Sequence, residues 1–201
     1  KTLDPPPPVR RYQRDTPGEL IHLDIKKLAR FRTPGHRVTN NRRVKSRKAG
    51  WEYLHVCIDD ASRVAFAEVF PDERASSVLT FLDHVLEAYS RMGVTVQQVM
   101  TDNGPAYCSH AFRRACDRLG LRHIRTRPYR PQTNGKAERF IQTALREWAY
   151  AHAYRNAEDR AARLPAWLHH YNWHRPHSAL RSQTPMSSID LSENNLLTLH
   201  R

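Results

Sequence analysis

Three carboxylates, each in a different kind of local sequence, could together do metal chemistry. Asp24 sits inside the alternating run ELIHLDIKKL, Asp102 follows VTVQQVM at the head of TDNGPAY, and Glu138 is the lone acid of PYRPQTNGKAERF, among Arg130, Lys136 and Arg139. Alone, Glu138 would be a solvated ion-pair partner, the ordinary state of a surface glutamate. Three carboxylates brought together repel one another and raise their own pKa values unless cations intervene. Hard divalent ions prefer all-oxygen ligands, and Mg²⁺ binds through one or two carboxylates plus water and substrate phosphate. Two such ions roughly 3.5 to 4 Å apart can activate an attacking oxygen and stabilise a leaving one in an in-line phosphoryl displacement.

Only a folded sheet can gather these acids, and the local patterns supply one. ELIHLDIKKL alternates with period two, Ile21, Leu23 and Ile25 on one face and His22, Asp24 and Lys26 on the other, which predicts a strand with Asp24 mid-length. WEYLHVCIDDAS and RVAFAEVFP read as two more strands, joined by the polar turn from Asp59 to Arg63. ERASSVLTFLDHVLEAYSRMG has apolar residues at helical spacing and closes on Gly93. VTVQQVM is a short strand ending in the turn residues Asn103, Gly104 and Pro105, SHAFRRACDRLG a short helix, and LRHIRTRPYR a last strand. A long helix from about Thr133 to Ala149 and a second helical region, EDRAARLPAWLHHYNWHRPHSAL, complete the ordered part. The expected fold is α/β, a mixed five-stranded sheet flanked by helices, its first three strands antiparallel, with a C-terminal helical extension. Right-handed crossovers let the fourth strand return parallel beside the first, placing Asp24 and Asp102 on neighbouring strands. The Pro- and Arg-rich residues 1–17 read as an extended linker, 18–152 as the core and 153–201 as the helical extension and tail.

The formal net charge of +13 and the pI near 10.2 point to a polyanionic partner. No apolar run approaches the roughly 18 to 20 residues of a spanning helix, so a soluble, intracellular protein without a membrane partner is expected. From Arg30 to Lys48 there are eight Lys or Arg residues and no acid. A solvated loop is one reading; a phosphate-binding finger using Arg42, Arg43, Lys45, Arg47 and Lys48 is favoured, because a block of like charge repels itself without an anion beside it. Around Glu138, the residues Tyr129, Arg130, Gln132, Thr133, Asn134, Lys136 and Arg139 are candidate DNA contacts. Thr133 or Asn134 can also cap the helix, and Tyr129 can stack on a base or pack half-buried. Lys136 opposes the helix dipole by roughly 0.3 to 1 kcal/mol, an objection that a bound phosphate would remove. Asp59 and Asp60 are read as turn-capping residues rather than metal ligands, His22 as a partly buried neutral histidine, and Trp148, Trp167 and Trp173 as core. Cys57, Cys108 and Cys116 are odd in number and lack a CxxC pair, which argues for free thiols.

The 35 residues between Asp102 and Glu138, with Asp24 upstream, resemble the D, D-35-E pattern of the retroviral-integrase-like DDE recombinases. RTRPYRPQTNGKAERFIQTALREW and YNWHRPHSALRSQTP resemble more narrowly the transposases of bacterial insertion sequences, over nearly the whole chain. The resemblance implies a ribonuclease H-like core in which Asp24, Asp102 and Glu138 hold two Mg²⁺ or Mn²⁺ ions when DNA is bound. It implies cleavage of DNA at an element's ends and attack of the freed 3′-hydroxyl on target DNA, without a small-molecule cofactor, by a homo-oligomer assembled on DNA in the bacterial cytoplasm. Family members usually carry an upstream helix-turn-helix region, and a first residue of Lys1 rather than Met fits a chain whose upstream part has been removed. A structure-specific nuclease that stops at hydrolysis, or a non-catalytic DNA-binding or assembly protein, are the alternatives.

Overall fold

The computed structural model describes residues 13–34, 49–126 and 134–189. Five strands, β1 (Ile21–Ala29), β2 (Trp51–Asp59), β3 (Ala65–Phe70), β4 (Gln98–Thr101) and β5 (Arg122–Arg125), form one sheet in the order β3-β2-β1-β4-β5. The first three are antiparallel, while β4 runs parallel to β1 and β5 parallel to β4, as expected from the chain order. Among the described residues six α-helices accompany them: α1 (Ala75–Arg91), the single turn α2 (Pro105–Cys108), α3 (His110–Arg118), α4 (Gly135–Ala144), α5 (Ala157–Ala162) and α6 (Leu164–Trp173).

Strand alternation gives each face of the sheet its own core. On one face Ile21, Leu23, Cys57 and Val99 meet Val78, Phe81, Leu82, Val85 and Tyr89 of α1 and Phe112 and Cys116 of α3. On the other Leu28, Leu54, Val56 and Ile58 meet Ala137, Phe140, Ile141 and Ala144 of α4, with Leu164 and Tyr171 of α6. Asp24 shares this second face, because it is an even-numbered residue of β1 like Leu28. The sheet therefore points it toward α4, the helix that carries Glu138.

Helix α4 passes at Leu145–Ala149 into a π-helical turn, where a continuous α-helix was expected. The Tyr150 N–H reaches back to the Leu145 carbonyl at 3.0 Å, and the Trp148 carbonyl accepts the Tyr154 hydroxyl at 2.6 Å. Trp148 is buried, as expected, and donates Nε1–H to the Arg160 carbonyl at 2.9 Å. Of the described residues after 153, Tyr154, Leu164 and Tyr171 pack into the second core. Asn172 brackets Ala65 of the edge strand, accepting its N–H at 2.9 Å and donating to its carbonyl at 2.8 Å. Buried Arg160 donates to Glu52 and to the Ala29 carbonyl, both at 2.7 Å, joining α5 to the ends of β1 and β2.

At the other end of β1, Gly18 has φ +82°, the left-handed region that favours glycine. Its N–H donates to Asp59 Oδ2 at 2.9 Å and its carbonyl accepts Gln97 N–H at 2.8 Å, so one residue ties the entry of β1 to the β2–β3 turn and to the approach to β4. A Cβ here would lie 2.4 Å from the Thr95 carbonyl oxygen. Gly18→Ala is therefore expected to cost about 2 to 4 kcal/mol, from the left-handed φ plus overpacking, and to lower the melting temperature by roughly 5 to 15 °C. Calorimetry checks this, and a shift under about 2 °C would show that this junction does not constrain the sheet.

Candidate active site

Asp24 lies mid-strand, two residues beyond His22, where the β1–β4 ladder has its last partners, His22 and Met100. β4 ends at Thr101, and beside its end lies a cavity of about 560 Å³ lined by Asp24 and Asp102, by buried Tyr107, and by Tyr53 and Arg74. Each aspartate commits one oxygen to a backbone N–H. Ile25 donates to Asp24 Oδ1 at 2.7 Å, and Gly104, in the turn after β4, donates to Asp102 Oδ1 at 2.8 Å. The second oxygen of each carboxylate has no hydrogen-bond partner among the described residues.

Burial raises the Asp24 pKa to about 6; the Ile25 N–H opposes this, and the negative charges of Asp102 and Glu138 reinforce it. The fold thus brings all three acids within electrostatic reach. Glu138 stands on the first turn of α4, exposed to solvent, and does not line the cavity shared by the two aspartates. Among the described residues no three His, Cys, Asp or Glu side chains are close enough to form a ready metal cluster. The donor set, carboxylate oxygens only beside an open cavity, is that of Mg²⁺ or Mn²⁺ rather than of zinc.

The first turn of α4 departs from expectation. Asn134 occupies the N-cap position but makes no side-chain cap bond. Its Nδ2 donates instead to the Leu23 carbonyl at 3.3 Å and its Oδ1 faces His22 Nδ1 at 3.1 Å, so it is buried rather than offered to DNA. Lys136 pairs with buried Asp60, and that carboxylate, not a phosphate, answers the unfavourable position of a cation in a first helical turn. Arg139 is exposed. Tyr129, Arg130, Gln132 and Thr133, and the basic residues Arg42, Arg43, Lys45, Arg47 and Lys48, lie outside the described residues.

The two acids of the β2–β3 turn divide their roles. Asp59 caps the turn as expected, its Oδ1 accepting from Ala61 N–H at 3.1 Å and from Ser62 N–H and Oγ–H at 2.7 Å each. Asp60 does not cap it. Its carboxylate takes His22 Nε2 at 2.7 Å, Lys136 Nζ and the Arg14 N–H at 2.6 Å. Burial alone would raise its pKa, but the hydrogen bonds from His22, Lys136 and Arg14 override it and hold the carboxyl well below the usual carboxylate range. His22 is fully buried in this network rather than partly so. Sequence spacing gives no sign of it, since Asp60 lies 38 residues from His22 and 76 from Lys136.

Known proteins resemble this chain in sequence and in fold. The mouse intracisternal A-particle Pol-related polyprotein is 41% identical over 92 residues, 46% of this chain but 10% of that polyprotein. The simian T-cell lymphotropic virus intasome, solved in complex with the PP2A regulatory subunit B56 gamma, aligns over 90% of this chain and 58% of its own with TM-score 0.66 and 23% identity. The HTLV-2 integrase catalytic core domain, solved with magnesium in a dimeric form, aligns over 88% of this chain and 99% of its own with TM-score 0.53 and 18% identity. At these identities the structural likeness is one of fold, a ribonuclease H-like one. Residues 119–185 match one integrase core domain family, and residues 14–131, more than half of the 201, match a second of the same description, so this chain belongs to the integrase core domain family.

Proposed function

We propose that this chain is the catalytic domain of a DNA transposase: it cleaves DNA at an element's ends in a metal-dependent reaction and transfers the resulting 3′-hydroxyl into target DNA. The observation that carries the reading is that Asp24 and Asp102, from neighbouring strands, line one cavity while the charge of Glu138 acts on Asp24. Asp24, Asp102 and Glu138 are the residues that would hold two Mg²⁺ or Mn²⁺ ions. When bound, such ions supply activation of the attacking oxygen and stabilisation of the leaving one. The chain's part is to hold acceptor oxygens at the cavity and keep each aspartate oriented through one backbone N–H. That the HTLV-2 core was solved with magnesium supports the choice of ion, and that it was dimeric supports a homo-oligomer on paired ends. The narrower affiliation with bacterial insertion-sequence transposases rests on TNGKAERF and YNWHRPHSALRSQTP. DNA is held, in this reading, by the basic residues between β1 and β2 and by Arg130 and Arg139.

A strand-transfer assay on pre-cut element ends with Mn²⁺ is the direct test; hydrolysis without joined product would reduce the protein to a nuclease. Glu138→Gln is nearly isosteric and is expected to lower joining by at least ~100-fold, beyond the ~10- to 100-fold that loss of an outer-shell partner costs, with DNA binding retained. Joining at the wild-type rate would remove Glu138 from the site.

Gathering the acids without metal leaves a signature in stability. Because the Asp24 value is raised to about 6 from an ordinary 3.8, the folded protein holds this proton more tightly than the unfolded chain. The contribution of Asp24 is therefore most favourable below about pH 4 and is lost as pH rises toward about 6, with the full penalty above it. Asp24→Asn, which keeps an acceptor for Ile25 N–H, should stabilise the protein in EDTA at pH 7.5 by about 1 to 3 kcal/mol. The gain should shrink toward pH 4 in thermal melts; a destabilised variant at pH 7.5 would contradict it. Finally, neutralising Arg42, Arg43, Lys45, Arg47 and Lys48 should flatten the slope of log affinity for DNA against log salt by up to about 4 units, and an unchanged slope would leave that segment off the DNA.

A further inference from the structure

We propose that Asp60 is a positioning residue for Glu138: through Lys136, and through the His22–Asn134 bridge, it fixes the first turn of α4 against the centre of the sheet. The inference rests on the catalytic reading of Glu138 given above.

The apolar contacts of α4 do not by themselves set its place along the sheet. Ala137, Phe140, Ile141 and Ala144 make an apolar stripe that fixes which face of α4 meets the sheet, but apolar contact is non-directional, so a small slide along the helix axis changes burial little. A slide by one residue's rise, about 1.5 Å along the axis, is enough to shift Glu138 relative to Asp24. Hydrogen bonds and ion pairs are directional, and the start of α4 has three of them to fixed points. Asn134 Nδ2 donates to the Leu23 carbonyl at 3.3 Å, the residue directly before Asp24. Asn134 Oδ1 meets His22 Nδ1 at 3.1 Å, and His22 Nε2 meets Asp60 Oδ1 at 2.7 Å. Lys136 Nζ reaches the same Asp60 oxygen, although Lys136 lies on α4 and Asp60 directly follows β2.

Asp60 itself is immobilised from a third direction by the Arg14 N–H at 2.6 Å and has no exposed side-chain surface. The cluster thus stands between the strand that carries Asp24 and the turn that carries Glu138. It is polar and charged where the surrounding contacts of α4 are apolar, and it consumes a lysine that would otherwise be a ready phosphate ligand. What the basic stretch before and within α4 offers DNA must then come from its other cations, Arg139 among the described ones.

The test compares the chain with its Lys136→Gln, Asp60→Asn and combined Asp60→Asn/Lys136→Gln variants, with melting temperatures recorded beside each readout. Lys136→Gln is the mildest, since its side chain is 19% exposed. Hydrogen exchange on the DNA-free proteins should show amides of residues 139–142, whose acceptors are the carbonyls of the first turn of α4, exchanging at least about tenfold faster in each single variant while β1 and β2 keep their protection. In strand transfer at saturating DNA, each single variant should lose about 10- to 100-fold in kcat with KM for DNA unchanged. The combined variant, which leaves no unmatched charge, should regain part of that loss. Lys136→Gln should leave the salt slope of DNA binding as in the wild type. A slope reduced by about 1 with weakened binding would make Lys136 a phosphate contact and overturn the proposal. Unchanged exchange at 139–142 would overturn it as well. If the unaltered chain joins no DNA, the catalytic reading fails, and the exchange and salt measurements still decide whether Asp60 holds α4.

Discussion

Keeping an ionisable carboxyl on an interior strand, within reach of the charges of two other acids, is the constraint around which this fold is arranged. Strand β1 is the middle of five, paired along its full length with β2 and at its start with β4, so the backbone under Asp24 has little freedom to relieve the repulsion by moving. The ladder with β4 then ends at His22, and β4 itself ends at Thr101, beside the cavity that Asp24 and Asp102 line. The cost appears as the raised Asp24 pKa and is offset by the apolar cores on both faces. A cluster of acids of this kind costs stability, a common relation where function is placed ahead of stability.

Two ion pairs of the described residues draw a cation toward the interior: Lys136 goes to Asp60 and Arg160 to Glu52. Both tie a later helix to the end or flank of the central strands, and both have additional hydrogen-bonding partners nearby, the condition under which a buried ion pair holds position. One cation sits on α4 and the other on α5, so each of these helices is fastened by a charge as well as by its other contacts.

The elements that announce themselves through local period were legible in the sequence. ELIHLDIKKL became β1 with Asp24 at its centre, the three-strand meander formed with the expected pairing, and the handedness of crossovers was enough to put β4 beside β1. Asn103-Gly104-Pro105 read as a turn, and the single helical turn α2 that follows it is too short to carry a periodic signal. The polar network was not legible. Asn134 has the composition of a helix cap, yet β1, 111 and 112 residues away, offers it better partners than its own helix does. Asp60 looked like its neighbour Asp59, and only the tertiary fold separates the residue that closes a turn from the one that receives Lys136 and His22. The C-terminal helices read as an extension because their partners in β2 and β3, Glu52 and Ala65, lie about a hundred residues earlier.

The central claim is that Asp24, Asp102 and Glu138 together make a divalent-metal site. A crystal of this chain soaked in Mn²⁺, measured at a wavelength where manganese scatters anomalously, addresses it most directly. The account predicts an anomalous peak at the cavity within about 2.0 to 2.3 Å of oxygens of both Asp24 and Asp102, with Glu138 turned toward it. Manganese found only elsewhere, or aspartate carboxylates more than about 6 to 8 Å apart in the soaked crystal, would contradict it.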